Sequence, residues 1–465
     1  MVSLGGRATV DTGLLGTIHF RTSTIFSGTT IRLAGAELIR GGQSERVAVN
    51  VDVALQPGPS PDFDGDGVVG FADFVQFADK FGSTQGNEKY EERFDLDGDG
   101  SVGTSDFLEL SAQFGKKVPT PLPADGIMLV ALYNATDGDY WADNTNWLDN
   151  NDLSAWHGVT VVNGRVTELD LENNYLRGAF PSELGKLENL TVLNLSNNAL
   201  IGPIPPELGK LQKLTMLNLS TSALSGPIPP ELGGLDSLSI LSLDNNQLIG
   251  SIPPELGKLQ KLTVLGLENN ALSGPIPPEL GDLDSLSILK LHDNQLIGSI
   301  PPELGGLENL MALGLDNNRL SGPIPVELSK LGNLRQLSLY TNELSGPIPP
   351  ELGNLTNLAV LDLDRNQVSG PIPPELGKLK GLRWLILDSN QLSGPIPPEL
   401  GNLENLTWLR ISDNPSLTGA LPQSLTGLTE LRELYFDGTG LCAPLDAAFQ
   451  RWLRGIGETR GSNCP

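Results

Sequence analysis

Leucine recurs at positions 169, 193, 217, 241, 265, 289, 313, 337, 361, 385 and 409, a spacing of 24 residues. Leu434 follows after 25, the extra residue entering at Asn414-Pro415-Ser416. Each unit reads approximately LxxLxLxxNxLSGPIPPELGKLxx. A fixed period of this length marks a stack of coils, none of which can bury its apolar face alone. The Leu-x-Leu core predicts a short strand, with Leu193 and Leu195 inward and Asn194 and Ser196 outward. A column of asparagines follows, at 174, 198, 246, 270, 294, 318, 342, 366, 390 and 414; Ser222 interrupts it and Thr439 ends it. An inward Asn can bond free backbone groups where the chain turns. The two prolines after the Ile then forbid a continuing helix or a central strand. The expected coil runs through strand, Asn turn, Pro-rich segment and a short Glu-Leu-Gly turn. It buries about seven aliphatic side chains at roughly 1.5–3 kcal/mol each, which offsets the entropy of ordering only when coils stack.

The ten-residue run Leu-Ser-Gly-Pro-Ile-Pro-Pro-Glu-Leu-Gly resembles the plant-type leucine-rich repeats of receptor ectodomains and of many bacterial surface proteins. That resemblance covers residues 166–441, about 12 coils, and implies a repeat solenoid of the α/β leucine-rich repeat class. The solenoid would be right-handed, with a parallel concave sheet roughly 55 Å along its arc. Residues 119–165 read as a linker and N-terminal repeat cap. Where such caps usually carry two cysteines this chain has Ser154 and Val161, so packing around Trp156 must hold it. Residues 442–465 read as the C-terminal cap: Asp446 stands as an N-cap before apolar residues at 449, 452, 453 and 456, a helical spacing. Cys442 and Cys464 flank that helix; they suit a local disulfide and an oxidising compartment, with a pair of free thiols as the alternative.

Charge narrows the function. With 30 basic against 56 acidic residues and a net charge of −26, a nucleic-acid backbone or an anionic membrane is repelled. The three histidines, His19, His157 and His292, are scattered, which excludes a histidine-rich site and argues against a His-based triad. The apolar run Ile127 to Tyr133 is far short of a membrane span. The N-terminal MVSLGGRATV lacks a basic and an apolar region, so an export signal is expected outside this chain. A secreted or cell-surface location follows from the cysteines and the resemblance.

Residues 57–118 hold the most specific chemistry. Asp62, Asp64, Asp66, the carbonyl of Val68 and Asp73 occupy positions 1, 3, 5, 7 and 12 of a loop with Gly67 at position 6. Asp95, Asp97, Asp99, the carbonyl of Ser101 and Asp106 repeat the pattern 33 residues later around Gly100. This arrangement wraps a hard cation in oxygen ligands and predicts two calcium ions, with a merely acidic turn as the bland alternative. Magnesium is disfavoured because it demands tighter octahedral geometry. Phe74, Phe77 and Phe81 before Gly82 match Phe107, Leu110 and Phe114 before Gly115, one apolar helix face each. The pair resembles a dockerin, an EF-hand-like module. That implies docking to a cohesin through positions 10 and 11, here Phe71-Ala72 and Thr104-Ser105, or a calcium-stiffened spacer. Residues 1–56 read as β-structure that faintly resembles a truncated cohesin-like or carbohydrate-binding sandwich, with Pro-rich linkers at Gln56–Pro61 and Lys117–Pro123.

The ligand face is sought among outward strand positions, where successive coils align their side chains. Toward the C-terminal half these become Lys290, His292, Arg335, Gln336, Tyr340, Asp362, Asp364, Arg365, Arg383, Trp384, Asp388, Trp408 and Arg410. Trp384 and Trp408 share one column in adjacent coils. Aromatics interleaved with Arg and Asp are the composition of a protein-binding hot spot, and they could equally stack on sugar rings or pack beneath the C-terminal cap. Three functions result. The first is a non-enzymatic extracellular protein binding a protein or peptide on the concave face. The second is a dockerin-bearing scaffold component of a polysaccharide-degrading assembly. The third, a glycoside hydrolase using Asp364 and Asp388, is disfavoured: no loop insertion interrupts the repeats, and no sequence feature marks a carboxylate of raised pKa.

Overall fold

The computed structural model describes residues 60–64, 68–114, 122–149 and 151–465, and before residue 60 only the backbone of short strands. Among the latter, Thr29–Leu33 pairs antiparallel with Val51–Leu55, and Ala36–Arg40 with Gln43–Val47. The sandwich expected over residues 1–56 and both linkers otherwise lie outside the described residues.

The repeat follows from one coil copied along the chain. In the coil that begins at Leu217, the side chains of Leu217, Leu219, Leu224, Ile228, Leu232, Leu235 and Leu238 are all at most 1 % exposed. These are the seven aliphatics expected per coil. Met216–Asn218 pairs parallel and in register with the strands before and after it, Leu217 beside Leu193 and Leu241. Continued, this builds a 14-stranded sheet, closed at one end by the antiparallel strand Val159–Val162 and at the other by the parallel strand Glu458–Arg460.

A second, 12-stranded parallel sheet runs along another side of the coils, from Arg177–Ala179 to Gly440–Cys442. The expected coil has one strand only; the Leu-Ser-Gly stretch after the Asn turn forms a second. Nine of the twelve strands end at a glycine such as Gly226, whose φ of 81° suits a residue without Cβ just before the proline. The Glu-Leu-Gly turn is a 3₁₀ helix, Pro254–Lys258 for example, with proline at its first position. Gly257 is required there, since a Cβ would lie 2.2 Å from the carbonyl oxygen of Glu279 in the next coil.

The asparagine column does what its position predicts. Asn246 Nδ2 donates to the carbonyls of Leu219 (2.9 Å) and Leu243 (3.1 Å), and its Oδ1 accepts from Leu224 N–H (3.0 Å). Successive asparagines thereby tie neighbouring coils together.

At the C-terminal end, helix Ala447–Leu453 starts at Asp446, whose carboxylate accepts from Ala448 and Phe449 N–H. Trp452 Nε1 donates to Leu428 O (3.3 Å), and Cys442 and Cys464 are bonded. Trp147 and Trp156 are buried and pack ring to ring, with centroids 4.9 Å apart, as the cysteine-free cap requires.

Residues 60–114 form two loop–helix motifs, with α1 at Phe71–Lys80 and α2 at Thr104–Gln113. Their core is Phe63, Val69, Phe77, Phe94, Leu96, Val102 and Leu110. Phe81 and Phe114, expected on the buried helix faces, instead sit at the helix C-caps and are half exposed.

Candidate functional site

Three columns of side chains cross the concave sheet at its C-terminal end. The first holds Val360, Trp384, Trp408 and Glu433, the second Asp362, Ile386, Arg410 and Tyr435. The third lies just past the strands and holds Tyr340, Asp364, Asp388 and Ser412. Parallel register brings Trp384 directly beside Trp408. Their rings stack at 4.4 Å and 8°, and Trp384 stays 38 % exposed. The stack then continues sideways. The Arg410 guanidinium lies 4.9 Å from the Trp408 ring and 4.9 Å from the Tyr435 ring, and Arg460 covers Tyr435 at 4.4 Å. Glu433 accepts from both Arg410 Nε (3.0 Å) and its Nη2, a paired grip that fixes the guanidinium plane. The cap helix packs against the 3₁₀ turn Gln423–Gly427 and uses Trp452. Trp384 and Trp408 therefore belong to the sheet face and not to the underside of the cap.

Carboxylates surround this stack. Burial pushes Asp388 up to about 7 despite the Ser412 N–H that it accepts at 2.6 Å, and Asp364 nearby adds to the rise. Burial likewise raises Asp362 to about 6, against the N–H of Asp364 at 3.1 Å. Asp364 is raised by burial too, with Arg365 opposing. Three carboxyl groups of raised pKa thus stand where sequence reading marks none. Tyr340 is half buried and pushed up to about 12 by burial and by Asp316; its hydroxyl accepts from Asn317 Nδ2 (3.2 Å). Farther along the face, His292 Nδ1 lies 2.9 Å from Asp293 Oδ2, and Asp316 is close to both.

A shallow pocket of about 470 Å³ lies elsewhere on the repeats, lined by Thr263, Ser285, Ser287, Asn309, Met311, Asn333, Arg335 and Asn357. Its donors are largely spent. Thr263 and Ser287 bond carbonyls of the preceding coil, and Asn309, Asn333 and Asn357 do the same. Such a lining offers less to a ligand than the open tryptophan pair.

In the first loop, ligand atoms of Asp62, Asp64 and Asp73 lie within 4.8 Å of one another; in the second, those of Asp95, Asp97 and Asp99 do. Asp66 lies outside the described residues. The position-12 aspartates are fully buried at the helix starts. Asp73 accepts from the N–H of Phe63 (2.6 Å), Asp64 and Gly70, and Asp106 from Leu96 (2.6 Å), Asp97 and Gly103. Asp73 joins the triplet of its loop while holding these bonds; Asp106 holds the matching bonds and lies outside the triplet of the second. Burial raises the Asp95 carboxyl, but the Tyr90 hydroxyl (2.7 Å) and the N–H groups of Gly100, Gly98 and Asp99 outweigh it and hold Asp95 below the usual range. Tyr90 is correspondingly raised to about 12 by that hydrogen bond.

Family profiles match only the coils: a leucine rich repeat over residues 164–224, a leucine-rich repeat region over 254–372, and single leucine rich repeats at 237–259 and 381–403. The coils are leucine-rich repeats. No curated protein matches the chain. Among solved structures it is similar to a chain of the crystal structure of PEPR1-AtPEP1, at 33 % identity and TM-score 0.64, covering 73 % of this chain and 51 % of that one. It is similar to the plant peptide hormone receptor RGFR1 in complex with RGF2, at 35 % identity and TM-score 0.57, covering 63 % and 51 %. It is also similar to the ectodomain of the membrane receptor kinase GASSHO1/SCHENGEN3 from Arabidopsis thaliana, in complex with CASPARIAN STRIP INTEGRITY FACTOR 2. There the identity is 33 %, the TM-score 0.60, and the coverage 73 % and 47 %. The chain spans about half the length of these receptors.

The leucine-rich repeats bring most of the expected ligand residues into one patch: Asp364, Trp384, Asp388, Trp408 and Arg410, with Tyr340 on its border. Arg365 instead occupies the left-handed turn after the strand (φ 51°), exposed, with Nε 3.8 Å from Asp364. Arg383 is exposed one residue before Trp384, and its carbonyl accepts from Thr407 and Trp408 N–H. Sequence reading misses Glu433, Tyr435 and Arg460. Tyr435 was findable, since it lies 25 residues after Arg410 in the same column; Arg460 falls beyond the last repeat, where no period points to it. Among the described residues no helix is long and apolar enough to cross a membrane.

Proposed function

We propose that this chain is a non-enzymatic extracellular binding protein whose concave leucine-rich repeat face captures a peptide or protein ligand. The carrying observation is the stacked, partly exposed Trp384–Trp408 pair, held by Arg410 and rimmed by carboxylates. Rigid aromatic anchors beside charged groups are what a binding hot spot requires. Similar structures include a peptide hormone receptor with its ligand and a receptor kinase ectodomain, and the Cys442–Cys464 disulfide fits an oxidising compartment. The carboxylates stand on an uninterrupted strand lattice, with no inserted loop to enclose a substrate.

The two acidic loops each hold one calcium ion in this reading. Their donor sets fit: three converging carboxylates per loop are the hard oxygen ligands that calcium takes, and the bound ion stiffens the module. Docking of the module to a cohesin has an observation of its own, the exposed aromatic surface of Phe71 (72 % exposed), Phe81, Phe107 and Phe114.

The test is a pull-down from the native extracellular milieu with the full chain, its Trp384→Ala/Trp408→Ala variant, and calcium or chelator. Retention on the wild type and loss on the double variant, at an unchanged melting temperature, is expected. Equal retention by both proteins would sink concave-face capture, and retention lost only with chelator would favour docking through the calcium module.

A further inference from the structure

The partner that this face takes can be read from the partners it has already recruited. Along one line of the sheet, planar groups alternate: Trp384 on Trp408, Arg410 between Trp408 and Tyr435, Arg460 on the far side of Tyr435. Every aromatic ring after the first pair is covered by a guanidinium. At the other end the series stops, since the strand neighbour of Trp384 is Val360. Val360 is shorter than an indole and Trp384 stays 38 % exposed, which leaves indole surface for a planar group from outside.

Charge selects which planar group. Asp362 lies on the strand next to Trp384, two residues along, roughly 8 Å away by strand geometry. Asp364 and Asp388 continue the acidic surface, with Asp316 and Asp413 near enough to act on them. Two arginines oppose this group. Arg410 is gripped by Glu433, and Arg365 stands exposed, 3.8 Å from Asp364. Burial holds the carboxyls of Asp362 and Asp388 toward their neutral form, the condition of acids short of counter-charge.

We infer that the ligand of this face is a basic peptide, with an arginine guanidinium stacked on the exposed indole of Trp384 beside Asp362 and a further basic side chain over Asp364 and Asp388. The inference rests on the concave-face reading above and adds the chemical class of the ligand. Arginine is favoured over lysine because its planar, weakly hydrated cation both stacks on indole and forks onto carboxylates. A neutral sugar could use the tryptophans but would leave the carboxylates uncompensated, and an acidic peptide would be repelled.

A random peptide display library panned against the full immobilised chain tests this. Three proteins are compared: the wild type, Asp362→Asn/Asp364→Asn/Asp388→Asn, and a charge-matched control, Glu207→Gln/Glu231→Gln/Glu255→Gln, altered in the remote 3₁₀ turns. Selected peptides should be enriched in arginine above lysine. A resynthesised peptide should lose about tenfold in affinity or more on the Asn triple variant and on Trp384→Ala, and less than about twofold on the control. Citrulline in place of its arginine should cost a similar factor with the protein untouched, which guards against a variant that folds poorly. Peptides that need Trp384 and Trp408 yet show no arginine preference, or survive citrulline, overturn the ligand class while leaving concave-face binding intact. Peptides indifferent to both tryptophans, or capture only of glycans on a carbohydrate array, overturn the concave-face reading itself.

Discussion

At Ser222 the asparagine column loses one side chain, and the loss leaves a buried hydroxyl oxygen without a hydrogen-bond partner. In the next coil Asn246 makes four bonds from the equivalent place. Ser222→Asn should therefore donate to the carbonyls of Leu195 and Leu219 and accept from Leu200 N–H. At about 0.5–1.5 kcal/mol net per bond, the expected gain from the three is about 1.5–4.5 kcal/mol. Denaturant melts check it; no rise in midpoint would mean that the coil already satisfies those groups otherwise. Thr221 beside it holds φ 55°, where Asn stands in five of the eleven coils, so Thr221→Asn should add a smaller gain. The column was legible because it recurs. The state of Asp388 was not, because its raised pKa comes from burial among side chains of neighbouring coils, which no single unit of sequence displays. Its sign is testable. The folded chain holds a proton up to about 7 that the unfolded chain releases near 3.8, so folded Asp388 binds protons that the unfolded chain does not. That contribution is full below about pH 4 and is lost as pH rises through about 7. Across that window the wild type should lose stability relative to Asp388→Asn, with a slope of at most about 1.4 kcal/mol for each step of one in pH. Parallel plots of stability against pH for the two proteins would refute it.

At the scale of elements, the loop–helix pairs were legible and the second sheet was not. Asp and Gly at fixed loop positions have few other uses, and both helices begin where the loops predict. Each strand of the second sheet, by contrast, turns one leucine inward and carries Ser, Ile and Gly elsewhere. Its pairing is imposed by the coil above and below, so local composition says little. The buried Asp106 separates two roles that sequence alone merges. Calorimetric titration of the full chain should count two calcium ions, and Asp66→Ala/Asp99→Ala should abolish both; calcium still bound by that variant would refute the loop assignment. Asp106→Ala should instead destabilise α2 with chelator present as well, by about 1–3 kcal/mol, because it orphans the N–H groups of Leu96, Asp97 and Gly103. Equal helix melting of Asp106→Ala and wild type in chelator would return Asp106 to a purely metal-binding role.

For the whole molecule the repeat period foretold the stack, and Asp446 with the two cysteines foretold its cap, while the strand that covers the last coil had to be seen. A parallel sheet of this kind exposes an unpaired edge at its last coil, a template for association with other chains. Here Glu458–Arg460 covers the edge strand Glu433–Tyr435, and the disulfide between Cys442 and Cys464 holds the returning segment in place. The covering strand also delivers Arg460 onto Tyr435, so the end cap and the ligand face share a residue. Coils contact only their neighbours, so damage at one end should stay there. In Cys442→Ser/Cys464→Ser, the loop closed across 22 residues is freed, worth about 3 kcal/mol by chain entropy. Hydrogen exchange at Leu434 and Phe436 should quicken, protection around Leu217 should hold, and light scattering should detect concentration-dependent association through the uncovered edge. Because Arg460 then leaves Tyr435, capture at Trp384 should weaken without any substitution on the ligand face. Unchanged protection of Leu434 in the variant would mean that the strand pairing and the Asp446-capped helix hold the cap without the disulfide.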